Sequence, residues 1–231
     1  MIGDKIMFER IVKFIGEEDY QKIRGTCVAV VGLGGVGGYA VESLVRSGIG
    51  ELILVDYDII DITNLNRQII TTWENISCNK TDEWKKRIQE INPNCKVTLL
   101  NLKLDIGNIG DLFQYSFDYL IDACDTIAVK EELIRNCLEL NIKIISSMGT
   151  GNKLEPSQLE ITDISKTSYD PIAKRIRKYL KDNHIYGKVP VVYSKEQNSK
   201  FTGSIPSMIF VPATSGLLCA NYIIKSIINS K

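Results

Sequence analysis

TCVAVV (26–31), GLGGVGG (32–38), YAVESLVRS (39–47) and ELILVD (51–56) follow one another along the chain. The first run is short and apolar, and the glycines come directly after it. The third stretch spaces its apolar residues for one face of a helix, and the fourth is a second apolar run closed by Asp56. Strand, glycine turn, helix and strand in that order form a βαβ unit. Outward from it the alternation continues, with a helix at 80–91 stopped by Asn92 and Pro93, the strand KVTLL (96–100) and a helical stretch near 109–115. The strand DYLIDA (118–123), the helix VKEELIRNCLEL (129–140) and the strand IKIISS (142–147) follow. Four or five parallel strands joined by crossover helices predict an α/β fold, a Rossmann-like doubly wound and mostly parallel sheet.

After Met148 the rhythm changes to GTGNKLEPSQ (149–158), a strand LEITDI (159–164), a basic segment (174–188), a strand VPVVYS (189–194), a polar loop (195–204) and a final helix after Pro212. These elements are expected to add antiparallel strands and loops to the same sheet. No composition shift marks a second domain. The expected organisation is N-terminal helices over 1–25, a nucleotide-binding core over 26–150 and an extension over 151–231 that binds substrate and forms a dimer.

The chain has 231 residues, with 28 Lys+Arg balanced by 28 Asp+Glu. That balance excludes attraction to nucleic acid by bulk charge, so any such contact must come from a local patch. No apolar run reaches the roughly 18–20 residues that span a bilayer, and charges interrupt the N-terminal stretch where a signal peptide would be apolar. The reading is a cytoplasmic protein without membrane contact. SGLLCANYIIKSII (215–228) is expected to be too short to span and to serve as a core or dimer-interface helix. The six cysteines include no CxxC pair, which argues against a disulfide framework or a four-cysteine zinc site, and the single His184 leaves no triad or histidine cluster.

Gly32, Gly34 and Gly37 complete a GxGxxG pattern between a strand and a helix, where backbone can approach phosphate at the positive helix end. Asp56 ends the next strand, placed to accept ribose hydroxyls. The pattern alone leaves NAD and ATP open, and a purely structural turn as well. Asn64, Arg67 and Gln68 follow shortly, and Lys80 opens the next helix, a set that suits a polyphosphate better than a nicotinamide. DACD (122–125) puts Asp122 and Asp125 at the ligand edge of the sheet, where Asp125 is suited to Mg²⁺. The plainer alternatives are solvated charges at Arg67 and Lys80, and a helix cap at Asp125.

In this order and spacing, GLGGVG, LVDYD, TNLNRQ, Lys80 and DACD resemble the ThiF/MoeB ubiquitin-activating-enzyme-like superfamily, whose members adenylate carboxylates with ATP. The resemblance covers 10–150 and implies that Gly35 approaches the nucleotide and Asp56 holds the ribose. It further implies that Asn64, Arg67 and Lys80 handle the triphosphate while Asp125 binds Mg²⁺ or phosphate. Arg10 in ERIVKFIG resembles the family's arginine that reaches across a homodimer to the partner's ATP. Sulfur-carrier-activating members resemble one another in two CxxC pairs and a later cysteine; here no cysteine lies between Cys137 and Cys219. The segments from SSMGTGNK to VVYSKE and GSIPSMIFVPATSGLL instead resemble the branch that dehydrates threonylcarbamoyladenosine in tRNA, extending the match over nearly the full chain. Cys124 departs from the branch's usual aliphatic residue in DAxD and reads as a packed side chain, and 195–204 matches weakly.

The resemblance implies transfer of AMP from ATP to the nucleoside carboxylate, with Arg10, Arg67, Lys80 and Mg²⁺ spreading the developing charge. A nucleophile of the same nucleoside then closes a ring and expels AMP. Lys174, Arg177, Lys178 and Lys181 recur near one face at helical spacing. On charge alone this is either a phosphate-binding stripe or a solvated face; the resemblance implies tRNA. Lys166 and Asp170, in KTSYDP, receive no role. The branch leaves room for a sulfur-relay protein partner. Two other functions stay open, adenylation of the C-terminus of a ubiquitin-like sulfur carrier, and NAD-dependent oxidoreduction or plain nucleotide binding.

Overall fold

The computed structural model describes residues 6–197, 203 and 205–230; most of the polar loop at 195–204 lies outside the described residues. Two N-terminal helices, α1 (Glu9–Ile15) and α2 (Glu17–Arg24), lead into β1 (Cys27–Val31), α3 (Gly37–Arg46) and β2 (Glu51–Val55). Next come α4 (Lys80–Ile91), β3 (Lys96–Leu100), β4 (Tyr119–Asp122), α5 (Ile127–Glu139) and β5 (Lys143–Ser147). The last third contributes β6 (Leu159–Asp163), α6 (Pro171–Asp182), β7 (Pro190–Ser194) and α7 (Phe210–Ile228).

The strands form one seven-stranded sheet in the order β3-β2-β1-β4-β5-β7-β6. β7 lies parallel to β5, and β6 pairs antiparallel with β7 at the edge, Ile161 opposite Val192. Every residue of β1 is buried because helices cover both faces, which is why the strand is apolar throughout and not alternating. Val28 and Val30 join one core layer with Leu44, Trp84 and Ile223. Ala29 and Val31 join the other with Leu133, Ile134 and Ile176.

The final helix starts at Phe210, not after Pro212. Pro212 is its third residue, where the missing N–H has no intrahelical acceptor and so costs nothing. At 19 residues it is also longer than expected, and among the described residues it alone passes the length and apolarity test for crossing a membrane. Its face from Val211 through Ser215, Gly216, Cys219, Ala220 and Ile223 to Ile227 is buried. A Cβ at Gly216 would stand 2.2 Å from the Val36 carbonyl oxygen and 2.9 Å from Tyr39 Cβ, so glycine lets α7 press onto the start of α3. α7 is a helix of the core.

Candidate functional site

Strand order reverses between β1 and β4, and the C-terminal ends of these strands diverge into a crevice, the usual ligand position of such a sheet. A cleft of about 340 Å³ opens there. Gly32, Gly34 and Gly35 from the β1 turn form one wall, and Ala123, Cys124 and Asp125 from the β4 turn form another. Gly32 has φ 87°, and a Cβ on it would come within 2.7 Å of the Ala123 carbonyl oxygen, so the two turns meet only if this residue is glycine. A Cβ on Gly34 would meet nothing nearer than Gln68 Nε2 at 3.8 Å. Glycine at 34 therefore keeps open a space that the protein does not fill. Gly37 stands behind the cleft, at the first turn of α3, where a Cβ would fall 1.7 Å from the Gly32 oxygen. No side chain caps α3. Its N-terminus abuts the glycine turn, with Gly38 N–H donating to the Gly34 carbonyl at 3.0 Å, and provides the positive helix end that phosphate seeks.

Asp56 is buried to 8% exposure and does more than await a ribose. Its Oδ2 accepts the Leu33 N–H at 2.6 Å and its Oδ1 the Asp58 N–H at 2.8 Å, tying the glycine turn to the end of β2. Each carboxylate oxygen keeps a further lone pair for a ligand hydroxyl. Asn64 accepts the Asp61 N–H through Oδ1 at 3.1 Å in a capping box, which leaves Nδ2 as the donor for the cleft. Arg67 spends Nη1 on the Thr63 carbonyl at 2.9 Å and on Asn66 Oδ1 at 2.8 Å, fixing the guanidinium while Nε and Nη2 stay available. Gln68 is buried, lines the cleft, and has no partner for Oε1 among the described residues. An orphaned acceptor beside an unfilled glycine cradle fits a nucleotide.

Lys80 is 3% exposed, so it is no solvated surface charge. Its Nζ donates to Asp58 Oδ2 at 2.7 Å. Asp125 does not cap α5; that position belongs to Thr126. Exposed at the cleft rim, the Asp125 carboxylate accepts only the Thr126 hydroxyl among the described residues, at 3.3 Å, and so fits a hard cation shared with phosphate. Asp122 ends β4 at the ligand edge, as expected, but is fully buried. It pairs with Lys130 Nζ at 2.9 Å, accepts the Ser146 hydroxyl, and through Oδ1 accepts the Cys124 N–H at 3.2 Å. Burial alone would push the Lys130 ammonium down; Asp122 more than offsets this and holds it above its ordinary value, hence charged. Asp58 and Lys130 thus support the site, but each finds its partner across a fold contact that no local spacing signals.

Arg10 is not brought to the cleft of its own chain. It is exposed on α1. Phe8, just before that helix, stacks on Tyr20 with ring centroids 5.5 Å apart and packs near Gly48, at the opposite edge of the sheet. In the basic helix α6, Lys174, Lys178 and Lys181 are exposed. Arg177 is half-buried and turns Nη1 inward to the Thr167 hydroxyl and the Ile164 carbonyl, the latter at 3.3 Å.

All six cysteines are free thiols. Burial pushes Cys27, Cys95, Cys137 and Cys219 up to about 12. Cys124, beside the cleft, is raised well above the ordinary thiol value by burial and then by Asp122. At pH 8 a thiol near 12 is ionised only about one part in 10⁴. Alkylation of the folded protein with iodoacetamide at that pH is therefore expected to stop at Cys78, while the unfolded chain takes up label at all positions. Fast labelling of Cys124, read by peptide mass spectrometry, would contradict this.

A ThiF family model matches residues 8–231. A Bacillus subtilis protein named tRNA threonylcarbamoyladenosine dehydratase is 38% identical, covering 96% of this chain and 94% of that one. Crystal structures of the Escherichia coli tRNA N6-threonylcarbamoyladenosine dehydratase TcdA, solved with ATP and with AMP, superpose with TM-scores of 0.91 at 31% identity over 96% of this chain and 94% of theirs.

Proposed function

The chain belongs to the ThiF family, and on that premise we propose that it dehydrates the threonylcarbamoyladenosine nucleoside of tRNA to a cyclic product, activating the carboxylate with ATP. One observation carries this reading. A cation-walled nucleotide cleft lies next to a thiol that burial and Asp122 keep protonated. Among the described residues an acyl-adenylate made there meets no ionised thiol, which leaves its capture to the substrate itself. A sulfur-carrier activator that passes its adenylate to a cysteine would need the opposite arrangement.

In the first step a carboxylate oxygen of the nucleoside bonds to the α-phosphorus as the bond to pyrophosphate breaks. Arg67 and Lys80 spread the charge that develops, already oriented by Thr63, Asn66 and Asp58. Asp56 and Asn64 hold the nucleoside end of ATP. Asp125 would hold Mg²⁺, which neutralises phosphate charge when bound; no cluster of three or more metal-ligating side chains exists among the described residues, so phosphate and water would complete its shell. In the second step a nucleophilic atom of the carbamoyl group attacks the activated carbonyl, AMP leaves, and a proton is released. Lys174, Lys178 and Lys181 would meet the tRNA backbone. The reading includes a cytoplasmic activity and tRNA binding by the extension 151–231.

Mass spectrometry of nucleosides from tRNA incubated with the protein and ATP tests the reading. Loss of one water from threonylcarbamoyladenosine is expected. An unchanged nucleoside, together with adenylation of a carrier protein ending in Gly-Gly, would overturn it.

The reading includes a homodimer in which the partner subunit's Arg10 completes each cleft, because Arg10 lies at the wrong edge of the sheet to act within its own chain. Mixing Arg10→Ala with Asp125→Ala protein is expected to restore part of the activity, since one composite site in each heterodimer then carries both wild-type residues. No recovery after verified subunit exchange would remove Arg10 from the site.

A further inference from the structure

A second cleft, of about 460 Å³, lies at the N-terminal end of α6 and is bordered by Tyr169, Asp170, Lys174, Arg177 and Gln197. Asp170 is 2% exposed. Its Oδ1 accepts the Ala173 N–H at 2.9 Å and caps α6. Its Oδ2 is buried and has no hydrogen-bond partner among the described residues. A cap uses one oxygen, and a serine would supply it; the second carboxylate oxygen lies in the field of the buried Lys153 ammonium but receives no hydrogen bond among the described residues, which leaves it open to a donor from elsewhere. That oxygen stands 3.5 Å from where a Cβ on Gly149 would lie, and Thr150, the next residue, lines the nucleotide cleft. The orphan oxygen thus sits where the two clefts adjoin.

Tyr169 adds an independent observation. Its backbone is left-handed, φ 58°, a conformation that bulky residues avoid, and its side chain is 68% exposed. Glycine or asparagine would occupy that position at less cost. An aromatic ring held at a cleft mouth against its backbone preference offers a stacking face.

We propose that this second cleft seats the modified nucleoside itself, with the base against the Tyr169 ring and a carbamoyl N–H or hydroxyl of the threonylcarbamoyl arm donating to Asp170 Oδ2. The proposal rests on the dehydratase reading and names the substrate subsite for it. A carboxylate oxygen accepts, so Asp170 takes a donor of the arm, while the arm's own carboxylate passes Gly149 and Thr150 toward Arg67 and Lys80. Lys174, at the same cleft, begins the basic stripe, so base and backbone would be held by one helix end.

Asp170→Asn tests this, because asparagine caps a helix as well as aspartate does but replaces the acceptor at the cleft with a donor or mismatched amide. Tyr169→Gly removes the ring and relieves the backbone. Affinity is measured for tRNA carrying the threonylcarbamoyl arm, for an unmodified transcript and for ATP, alongside kcat and KM. Asp170→Asn is expected to weaken binding of the modified tRNA by about tenfold or more and to raise KM, with the transcript and ATP unaffected. Tyr169→Gly should act in the same direction at an equal or higher melting temperature, and it decides the matter should Asp170→Asn not fold. Unaltered kinetics in folded Asp170→Asn would reduce Asp170 to a helix cap and overturn the proposal, as would an equal loss for both RNAs. Failure of the wild-type protein to dehydrate modified tRNA would defeat the dehydratase reading, and the subsite with it.

Discussion

Asp125→Ala and Arg67→Ala are each expected to lower substrate-dependent ATP–pyrophosphate exchange by about 10²–10³-fold, the usual cost of removing one preorganised charge-stabilising group. Both side chains lie at the cleft, outside the core, and neither holds an element together. Among the described residues the Asp125 carboxylate has only a hydroxyl at 3.3 Å, and the Arg67 side chain bonds only to the Thr63 carbonyl and Asn66. Circular dichroism and thermal melting should therefore remain close to wild type. Near-normal exchange in either folded variant would remove that residue from the chemistry. Loss of exchange together with a collapsed melting transition would instead show that the side chain supports the fold.

Lys130→Met should have the largest effect on stability. Asp122 and Lys130 are both fully buried, and removing the ammonium strands a carboxylate in the core, a change that typically costs about 3–5 kcal/mol. In urea the unfolding midpoint should fall while the slope stays the same. Adding Asp122→Leu to Lys130→Met should recover much of the loss, because two apolar groups leave no charge unpaired. Recovered stability without recovered activity is the expected combination: Asp122 also fixes the Cys124 N–H, and with it the turn that presents Asp125. A Lys130→Met midpoint equal to wild type would mean that the pair does not stabilise the fold.

The elements of the first half were legible because their signals are local. β1, the glycine turn, α3 and β2 declare themselves by apolar periodicity and glycine spacing within thirty or so residues, roughly the size of one βαβ unit. Legibility failed where a residue's environment comes from a distant segment. Asp122 stands at the ligand edge as its spacing implies, but only the fold shows that Lys130 of α5 takes its carboxylate. Lys80 reads equally well as a surface lysine until Asp58 reaches it from the end of β2. Arg177 belongs to the basic stripe by spacing, yet packing turns part of it onto the 164–167 segment. At the start of α7 a proline reads as a boundary, whereas the first turn of a helix accepts it. Asp170 offered no signal beyond its place before a proline. Its second oxygen became informative only once burial showed it unpartnered.

The close seat of α7 on the glycine turn also sets an order of events during synthesis. Pro212 Cβ would be 3.3 Å from a Cβ on Gly35, and Gly216 lies against the Val36 carbonyl. The back of the phosphate-binding turn is therefore made of residues translated long after the turn itself. A nascent chain that has reached β5 owns every strand flanking the crevice but not the helix that braces its loop. Until α7 is made and docks, the apolar surface of α3 that it covers stands bare, an exposed patch of the kind that invites aggregation.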